Sequence, residues 1–318
     1  MRTIALLITC ATPAVAQDLH LGLPIDCTLG DTCYIQNYVD TDPSEAALDF
    51  QCGSLTYDGH KGTDFGLPSL SAMEAGVDVL ASAAGTVRGV RNDMRDVLYT
   101  PDLAGEINGR DCGNGVVVAH ESGWETQYCH MKEGSVTVVT GEQVGRGDVL
   151  GQVGMSGRTQ FPHVHISVRH SGAVVDPFAP DGDRDCGVDV ENTLWDFQLD
   201  TPAGGLISVG FAIDVPDYDS VKAGTAAANV LSADAPIVLW AFAFGAQTGD
   251  VVSITINGPD GDLFQTDDVL TRQQALFMRA GGLNPPENGW AAGTYDGIVT
   301  HARDGVELDR LTKTISLP

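Results

Sequence analysis

The chain has 318 residues, more than one average domain needs, and this length suits two modest domains that each bury a core. Its formal net charge of −26 makes nucleic acid and other anionic surfaces poor partners on electrostatic grounds. Hydrophobic residues make up 43% of the chain, yet no apolar run after the N-terminus approaches the ~20 residues of a membrane-spanning helix. The composition therefore predicts a soluble protein without a membrane anchor or a nucleic-acid partner.

Residues 1–16 have the features of a secretory signal peptide. A basic start at Arg2 precedes the apolar stretch 4–8, and the segment ends in Ala14-Val15-Ala16, which matches an A-x-A cleavage site. A buried N-terminal strand or helix is the alternative, but the charged end, the apolar centre and the small residues occur in the order that export requires. We expect cleavage after Ala16 and a secreted or periplasmic protein.

Six cysteines remain once Cys10 leaves with the signal peptide. An even number of cysteines in an exported chain is typical of disulfide bonds. The spacing of Cys27 and Cys33 would suit a short closed loop, although six cysteines allow many pairings. No C-x-x-C pair occurs among them, so a thiolate zinc site or a thioredoxin-like motif is the weaker interpretation. The six are Cys27, Cys33, Cys52, Cys112, Cys129 and Cys186.

Short segments rich in valine, threonine and aromatic residues lie between closely spaced glycines and prolines, a pattern typical of β-sheet proteins. Segments 115–120 and 125–131 are close enough in sequence to predict a β-hairpin. The polar stretch 91–112 is interpreted as an inserted loop. Strands are predicted in the first half of the chain at 77–83, 85–90, 115–120, 125–131, 149–154 and 163–169.

An acidic, turn-rich segment at 181–185 precedes a second β-rich region. Its short strands predict a small antiparallel, Ig-like β-sandwich. These strands are predicted at 207–215, 236–244, 251–256, 274–279, 293–301 and 307–315. The whole chain is thus expected to be all-β, with the signal peptide (1–16), an N-terminal extension (17–50), a first antiparallel β domain (51–185), a linker (186–205) and the sandwich (206–318).

Two histidine-containing segments carry residue types that bind zinc. His60 and Asp64 lie in a tight, glycine-rich, irregular segment at 59–68, where the backbone rather than a helical repeat would bring them together. His163 and His165 are two residues apart, so both would project from one face of a strand. Taken alone, either pair is more often incidental. A catalytic zinc site has three imidazole or carboxylate ligands and an open position for water, and His60, Asp64 and His165 would supply such a set.

A third segment, 124–131, adds His130 to this group. Alternation along a strand would put Thr126, Tyr128 and His130 on one face and Cys129 on the other. Titratable or metal-binding side chains therefore recur in three glycine-bounded segments, which makes an incidental origin less probable than for either pair alone.

These segments resemble the lysostaphin-type, or LytM-like, zinc metallopeptidases, which cut peptide bonds in bacterial cell-wall peptidoglycan. The resemblance implies a zinc peptidase domain at 51–185, with one zinc ion per chain held by His60, Asp64 and His165. It also implies that His130 and His163 are the catalytic pair and that peptidoglycan peptides are the substrate. The motifs that carry it are Gly59-His60-Lys61-Gly62-Thr63-Asp64, Gly113-Asn114-Gly115-Val116-Val117-Val118-Ala119-His120, Thr126-Gln127-Tyr128-Cys129-His130-Met131, the spaced glycines of 141–157, Pro162-His163-Val164-His165 and Asp176-Pro177.

The mechanism implied by the resemblance is metal-assisted hydrolysis. Zinc would lower the pKa of a bound water towards ~7 and polarise the scissile carbonyl, while His130 or His163 accepts the proton. Either His130 or His163 could serve as the base. The sequence departs from the family pattern at Gln160-Phe161, where Thr-Gly is frequent, and at Ser167, where an acidic residue is common. Both positions flank the site, so we expect them to affect substrate preference more than metal binding.

The predicted hairpin also suggests a disulfide pairing. Antiparallel pairing would bring Cys112 near Cys129, which alternates away from His130. We therefore prefer a Cys112–Cys129 bridge, which leaves Cys52 and Cys186 for each other.

Two other functions compete with an active peptidase. A non-catalytic scaffold of this fold, which binds or activates another cell-wall hydrolase, typically lacks ligands or catalytic histidines, whereas all five positions are filled here. An adhesion or carbohydrate-binding module would depend on the C-terminal sandwich alone, whose partner the sequence does not indicate. Among the other histidines, His120 is interpreted as structural or as a neighbour of the site, and His20, His170 and His301 as exposed.

Overall fold

A computed structural model describes residues 19–182 and 192–318 of the chain. The predicted signal peptide and Cys186, the predicted partner of Cys52, lie outside the described residues. Within those residues β-strands dominate, and every pair of named strands is antiparallel. The all-β fold class predicted from the sequence is confirmed.

The first part of the chain forms one large sheet and a small two-stranded one. In chain order the strands are β1 (Tyr34–Asn37), β2 (Thr63–Gly66), β3 (Asp78–Leu80), β4 (Gly85–Arg91), β5 (Asn114–Ala119), β6 (Trp124–Met131), β7 (Gln143–Val144), β8 (Val149–Gln152), β9 (His163–His170) and β10 (Ala173–Val175). The large sheet has the order β1-β2-β9-β6-β5-β4-β7, with β10 beside β9, and β3 pairs with β8. The predicted hairpin is confirmed as β5 and β6.

Only short helices accompany these strands. They are α1 (Leu70–Ala75), α2 (Ala104–Ile107) and, in the second part of the chain, α3 (Tyr218–Ala223). Helix α2 and a 3₁₀ turn at Pro101–Leu103 lie inside the inserted loop predicted at 91–112. Among the described residues, no helix has both the length and the apolar character needed to cross a membrane.

Strand β2 corrects part of the prediction of an irregular segment at 59–68. Its central residue Asp64 pairs with Asn37 of β1 on one side and with His165 of β9 on the other. The glycines at its ends indicated a loop, but pairing on both sides gives these four residues a strand conformation. Residues 34–37 of the predicted N-terminal extension therefore lie in the same sheet, next to the strand that carries Asp64.

The second part of the chain is a sandwich of two sheets. Its strands are β11 (Gly205–Ala212), β12 (Ile237–Ala246), β13 (Val251–Gly258), β14 (Gly261–Val269), β15 (Gln274–Leu283), β16 (Gly293–Arg303) and β17 (Val306–Leu317). The sheet β11-β12-β15 faces the sheet β14-β13-β16-β17, and apolar side chains such as Leu239, Ile254 and Val299 fill the space between them. Strand β14 was not predicted because it is a polar edge strand with three aspartates.

The sandwich packs directly against the first sheet. The ring of Tyr34 in β1 lies 4.9 Å from that of Phe244 in β12, which belongs to the core of the first part. The side-chain amide of Gln36 donates to the carbonyl of Ala275 at 3.0 Å, and Ser71 donates to the carbonyl of Ala223 at 2.6 Å. These apolar and polar contacts join the two parts along the edge formed by β1.

Two disulfide bonds occur within the described residues. Cys27 pairs with Cys33, and Cys112 pairs with Cys129 across the β5–β6 hairpin. Both bridges match the pairings preferred from the sequence. The Cys112–Cys129 bridge lies immediately before His130, so it constrains the backbone that carries this residue.

The prediction that His301 is exposed is wrong. It is fully buried, and its Nε2 lies 2.9 Å from Asp250 Oδ2. Arg303 donates to the same carboxylate and to the carbonyl of Ala203, just before β11. This polar cluster therefore fastens the end of the predicted linker to the sandwich.

Asp176 is a buried carboxyl group whose ionisation opposes folding. Its Oδ1 accepts from the Phe178 backbone N–H at 2.9 Å, whereas Oδ2 has no hydrogen-bond partner among the described residues. Burial, with a smaller contribution from the nearby Asp49, raises the pKa of Asp176 to about 7. The folded state therefore holds a proton that the unfolded chain releases near its ordinary pKa of ~3.9. The stabilising effect of this proton is complete below pH ~4 and is lost as the pH rises to about 7.

Replacing Asp176 with asparagine should remove this pH dependence, because the amide keeps the bond to Phe178 and never ionises. We expect Asp176→Asn to increase the free energy of unfolding by about 2–4 kcal/mol at pH 8 and by little near pH 4. Urea denaturation at both pH values measures the difference. Asp304→Asn, at an exposed aspartate, is the matched control. Equal effects of Asp176→Asn on the free energy of unfolding at the two pH values would contradict the raised pKa of Asp176.

Candidate metal centre and active-site cleft

The predicted metal ligands meet where β2 pairs with β9. His60 Nε2 lies 3.2 Å from Asp64 Oδ1 and 3.1 Å from His165 Nδ1. His165 Nδ1 lies 2.8 Å from Asp64 Oδ1. Zinc–ligand bonds of ~2.0–2.1 Å place tetrahedral ligands about 3.3 Å apart, so these spacings suit a single zinc ion. The structure thus brings together the three residues that the sequence analysis assigned to the metal.

Hydrogen bonds on the far side of each imidazole determine which nitrogen faces the centre. His60 Nδ1 donates to the carbonyl of Tyr38 at 2.6 Å, which leaves a lone pair on Nε2. The Ser167 hydroxyl donates to the carbonyl of Lys61 at 2.5 Å and therefore accepts from His165 Nε2 at 3.1 Å, which leaves a lone pair on Nδ1. Two nitrogen lone pairs and a carboxylate oxygen converge, and a divalent cation satisfies this arrangement.

Asp64 is held from the side opposite to the histidines. It is buried, and the side-chain amide of Asn37 donates to its Oδ2 at 2.9 Å. Burial opposes the negative charge, but His60 and His163 outweigh this effect and hold the pKa of Asp64 well below its ordinary value. The carboxylate is therefore ionised at neutral pH, with Oδ1 turned towards the histidines.

The register of β6 against β9 corrects the predicted faces of the β6 strand. Cys129 lies opposite His165, and Tyr128 lies opposite Ile166. Directly opposite residues share a face of the sheet, so Cys129 lies on the same face as His165, a predicted metal ligand. Thr126 and Tyr128 are fully buried on the other face. The prediction that Thr126, Tyr128 and His130 share one face is therefore wrong.

His130 reaches the site because its backbone leaves the strand conformation. Its φ of +61° lies in the left-handed region, and its ring lies 4.6 Å from that of His163. Its Nδ1 donates to the carbonyl of Ser156 at 2.8 Å, which leaves a lone pair on Nε2. Burial, followed by the neighbouring His163 and His165, holds the pKa of His130 well below its ordinary value. The imidazole is thus neutral at neutral pH and can accept a proton.

His163 is held in a similar way from the start of β9. Its Nδ1 donates to the carbonyl of Phe161 at 2.9 Å, and the Phe161 ring stacks on the imidazole with centroids 4.2 Å apart. Its Nε2 lies 3.5 Å from Asp64 Oδ1, next to the predicted metal position. Burial lowers the pKa of His163. His130 and His163 therefore form a pair of neutral imidazoles beside the predicted metal ligands.

A cleft of about 1330 Å³ opens onto these groups. Asp64, His130 and His163 line it, together with Gln160 and Phe161, which occupy one of the two positions where the sequence departs from the family pattern. Ser167, the other departure, instead contacts the predicted ligand His165. Residues of the sandwich also line the cleft, among them 272–276.

Four groups that hold the predicted site residues directly were missed in the sequence. They are the side chain of Asn37 and the carbonyls of Tyr38, Ser156 and Phe161. The three carbonyls leave no trace in the sequence because every residue has one. The amide of Asn37 becomes relevant only through the pairing of β1 with β2, which joins segments separated by more than twenty residues.

The first part of the chain is similar to known proteins. Residues 58–177 match Peptidase family M23. Over 114 residues the chain is 35% identical to the cell division protein DipM of Caulobacter vibrioides, a stretch that covers 32% of this chain and 18% of DipM. Over 109 residues it is 31% identical to the peptidoglycan DD-endopeptidase ShyA of Vibrio cholerae, with 34% of this chain and 20% of ShyA covered.

Among solved structures, the catalytic domain of the prophage-encoded M23 protein EnpA from Enterococcus faecalis aligns with 51% of this chain and 94% of that one, at 22% identity and a TM-score of 0.31. The matches to DipM and ShyA span about a fifth of the length of those relatives. The family match covers the part of the chain that contains the histidine cluster. The resemblance to the lysostaphin-type peptidases is confirmed for residues 58–177, which match Peptidase family M23.

Proposed function

We propose that this protein is a zinc-dependent endopeptidase that hydrolyses peptide bonds of bacterial peptidoglycan. The observation that carries the proposal is the convergence of two imidazole lone pairs and one carboxylate beside two further neutral imidazoles. Membership of an M23 domain family, and similarity to a relative named peptidoglycan DD-endopeptidase, support the substrate class.

His60, Asp64 and His165 would hold the zinc ion. When bound, zinc supplies Lewis acidity towards the scissile carbonyl and lowers the pKa of a coordinated water. Ser167 and the Tyr38 carbonyl orient the two ligand imidazoles, and Asn37 orients the carboxylate. Such supporting contacts fix the ligands in place before substrate binds.

The remaining two histidines would carry the proton transfer. Each donates its Nδ1 proton to a backbone carbonyl, so Nε2 is the basic atom of both His130 and His163. Because burial keeps both imidazoles neutral, Nε2 can take a proton from the attacking water and later return it to the leaving amine. The other histidine would stabilise the developing oxyanion by a hydrogen bond from Nε2 once that nitrogen is protonated, because its Nδ1 proton is already donated to a backbone carbonyl.

A periplasmic or secreted location is part of the proposal. Two disulfide bonds in the described residues suit an oxidising compartment, and the first sixteen residues read as an export signal. Peptidoglycan lies in that compartment, so location and substrate agree.

Digestion of purified, crosslinked peptidoglycan tests the proposal. We expect the zinc-loaded protein to release fragments with new amino and carboxyl termini, which mass spectrometry identifies, from wall material of at least one crosslink chemistry. Protein stripped of zinc by a chelator and then reloaded provides the matched control. If the protein binds one zinc per chain but cleaves no crosslink type, a non-catalytic scaffold of this fold becomes the better description.

A further inference from the structure

The sandwich contributes part of the wall of the active-site cleft. The loop that joins β14 to β15, residues 270–273, is called the sandwich loop here, and Arg272 and Gln273 of this loop line the cleft with His130 and His163. The loop is fixed at its start because Leu270 is buried and exchanges backbone hydrogen bonds of 2.8 Å with Gly249 and Asp250. Its position relative to the sandwich is therefore set by packing.

The sandwich loop is also tied to the metal centre. Two residues after it ends, the carbonyl of Ala275 accepts from the side-chain amide of Gln36 at 3.0 Å. Gln36 is almost fully buried, and its neighbour Asn37 donates to Asp64 Oδ2. In β1, Gln36 thus contacts the sandwich, and the following residue, Asn37, contacts a predicted metal ligand. This arrangement holds the sandwich loop in the wall of the cleft that His130 and His163 also line.

The charge of the cleft differs from that of the whole chain. The chain has 17 basic and 43 acidic residues, yet the charged side chains that line the cleft are three of each kind. One of the acids, Asp64, is a predicted metal ligand whose charge the metal offsets. The basic lining residues are Arg158, Lys222 and Arg272, and the acidic ones are Asp58, Asp64 and Asp111.

Arg272 is the basic group that is available to a ligand. Lys222 forms an ion pair of 2.9 Å with Asp219, and Arg158 lies 3.7 Å from Asp111. Arg272 is exposed and forms no ion pair or hydrogen bond among the described residues. A guanidinium with unused donors, held at the rim of an otherwise acidic protein, favours a planar anion with two acceptor oxygens.

We infer that the sandwich loop belongs to the substrate-binding surface and that Arg272 binds a carboxylate of the peptide substrate. This inference rests on the proposed peptidase function and adds the substrate class: peptides with a free carboxylate near the scissile bond. The carboxylate comes either from a chain terminus or from an acidic side chain, and both have the same chemistry. Arg272 is therefore a specificity-determining residue supplied by the second domain.

Matched peptides test this role. Each peptide that the protein cleaves is compared with two analogues, one with the terminal carboxylate and one with the side-chain carboxylate replaced by a carboxamide. We expect Arg272→Gln to lower kcat/KM for the acidic peptide by about tenfold, mainly through KM, since the contact exists before and during reaction. The variant and the wild type should be equal on the analogue that lacks the recognised carboxylate, which identifies its source. Lys313→Gln removes one positive charge from β17, outside the cleft, and should change nothing.

A binding measurement separates failure of this inference from failure of the proposed function. Zinc-loaded protein with His163→Ala, alone or combined with Arg272→Gln, is titrated with the same peptides by calorimetry. If the wild type cleaves no peptide but the acidic peptide binds more weakly after Arg272→Gln, the inference stands and the peptidase proposal fails. If the wild type cleaves and Arg272→Gln affects acidic and amide peptides equally, or neither, the inference is overturned.

Discussion

Replacing His60, Asp64 or His165 by alanine is expected to remove stoichiometric zinc from the purified protein. Each change leaves two protein ligands where a zinc centre needs three or four, and the lone pairs that converge in the wild type no longer enclose the ion. Loss of a contact that merely supports a ligand typically weakens metal affinity by ~10–100-fold, so loss of a ligand should exceed that range. Cleavage should be lost together with the metal.

Elemental analysis after dialysis against a weak chelator measures the zinc content. Asn37→Ala, which keeps all three ligands but removes the bond to Asp64 Oδ2, should fall between the wild type and the ligand variants. His170→Ala, at an exposed histidine outside the cleft, is the matched control. If all three ligand variants kept one zinc per chain, the ligand assignment would be wrong.

Replacing His130 or His163 by alanine should have a different effect, with zinc retained and cleavage lost. Both residues lie beside the ligands, but their assigned work is proton transfer and oxyanion stabilisation. General acid–base assistance is worth ~10²–10⁴ in rate and an oxyanion donor ~10²–10³, so each variant should lose at least about a hundredfold in kcat. Steady-state kinetics on a soluble peptide, with zinc content measured on the same samples, checks both parts.

Two outcomes would contradict these roles. A loss of only a few-fold in kcat would place the histidine outside the chemistry. Loss of zinc from either variant would make that residue a ligand, and the centre would then have to be reassigned with Asp64 or His165 displaced. His120→Ala serves as the control, because His120 is bonded to the Ala84 carbonyl and to Thr126 on the other side of the sheet.

The cluster of His60, Asp64 and His165 could largely be predicted from local sequence. The spacing of His163 and His165 determines that both lie on one face of β9, and the glycine-rich segment before β2 brings His60 next to Asp64. Residue types and short spacings contain this information because Asp64 and His165 lie on adjacent antiparallel strands and His60 lies just before one of them.

The rest of the site depends on geometry that short segments do not encode. His130 lies on the same face as His165 only because its own φ is positive. A rule of strict alternation therefore gave the wrong face for Thr126 and Tyr128. Asn37 and the Tyr38 carbonyl contribute through the pairing of a distant strand. The sandwich loop reaches the cleft through packing between domains, which no motif in either domain describes.

The left-handed backbone of His130 has a consequence for how this position evolves. An L-residue with a side chain costs roughly 1–2 kcal/mol in this conformation, whereas glycine adopts it freely. Stability alone would therefore favour glycine there, and the proposed role of the imidazole opposes it. If His130 has that role, a histidine at this position in a related chain with the same turn indicates selection for it. Its replacement by glycine would be the expected drift once a descendant had kept the fold for binding and given up the reaction.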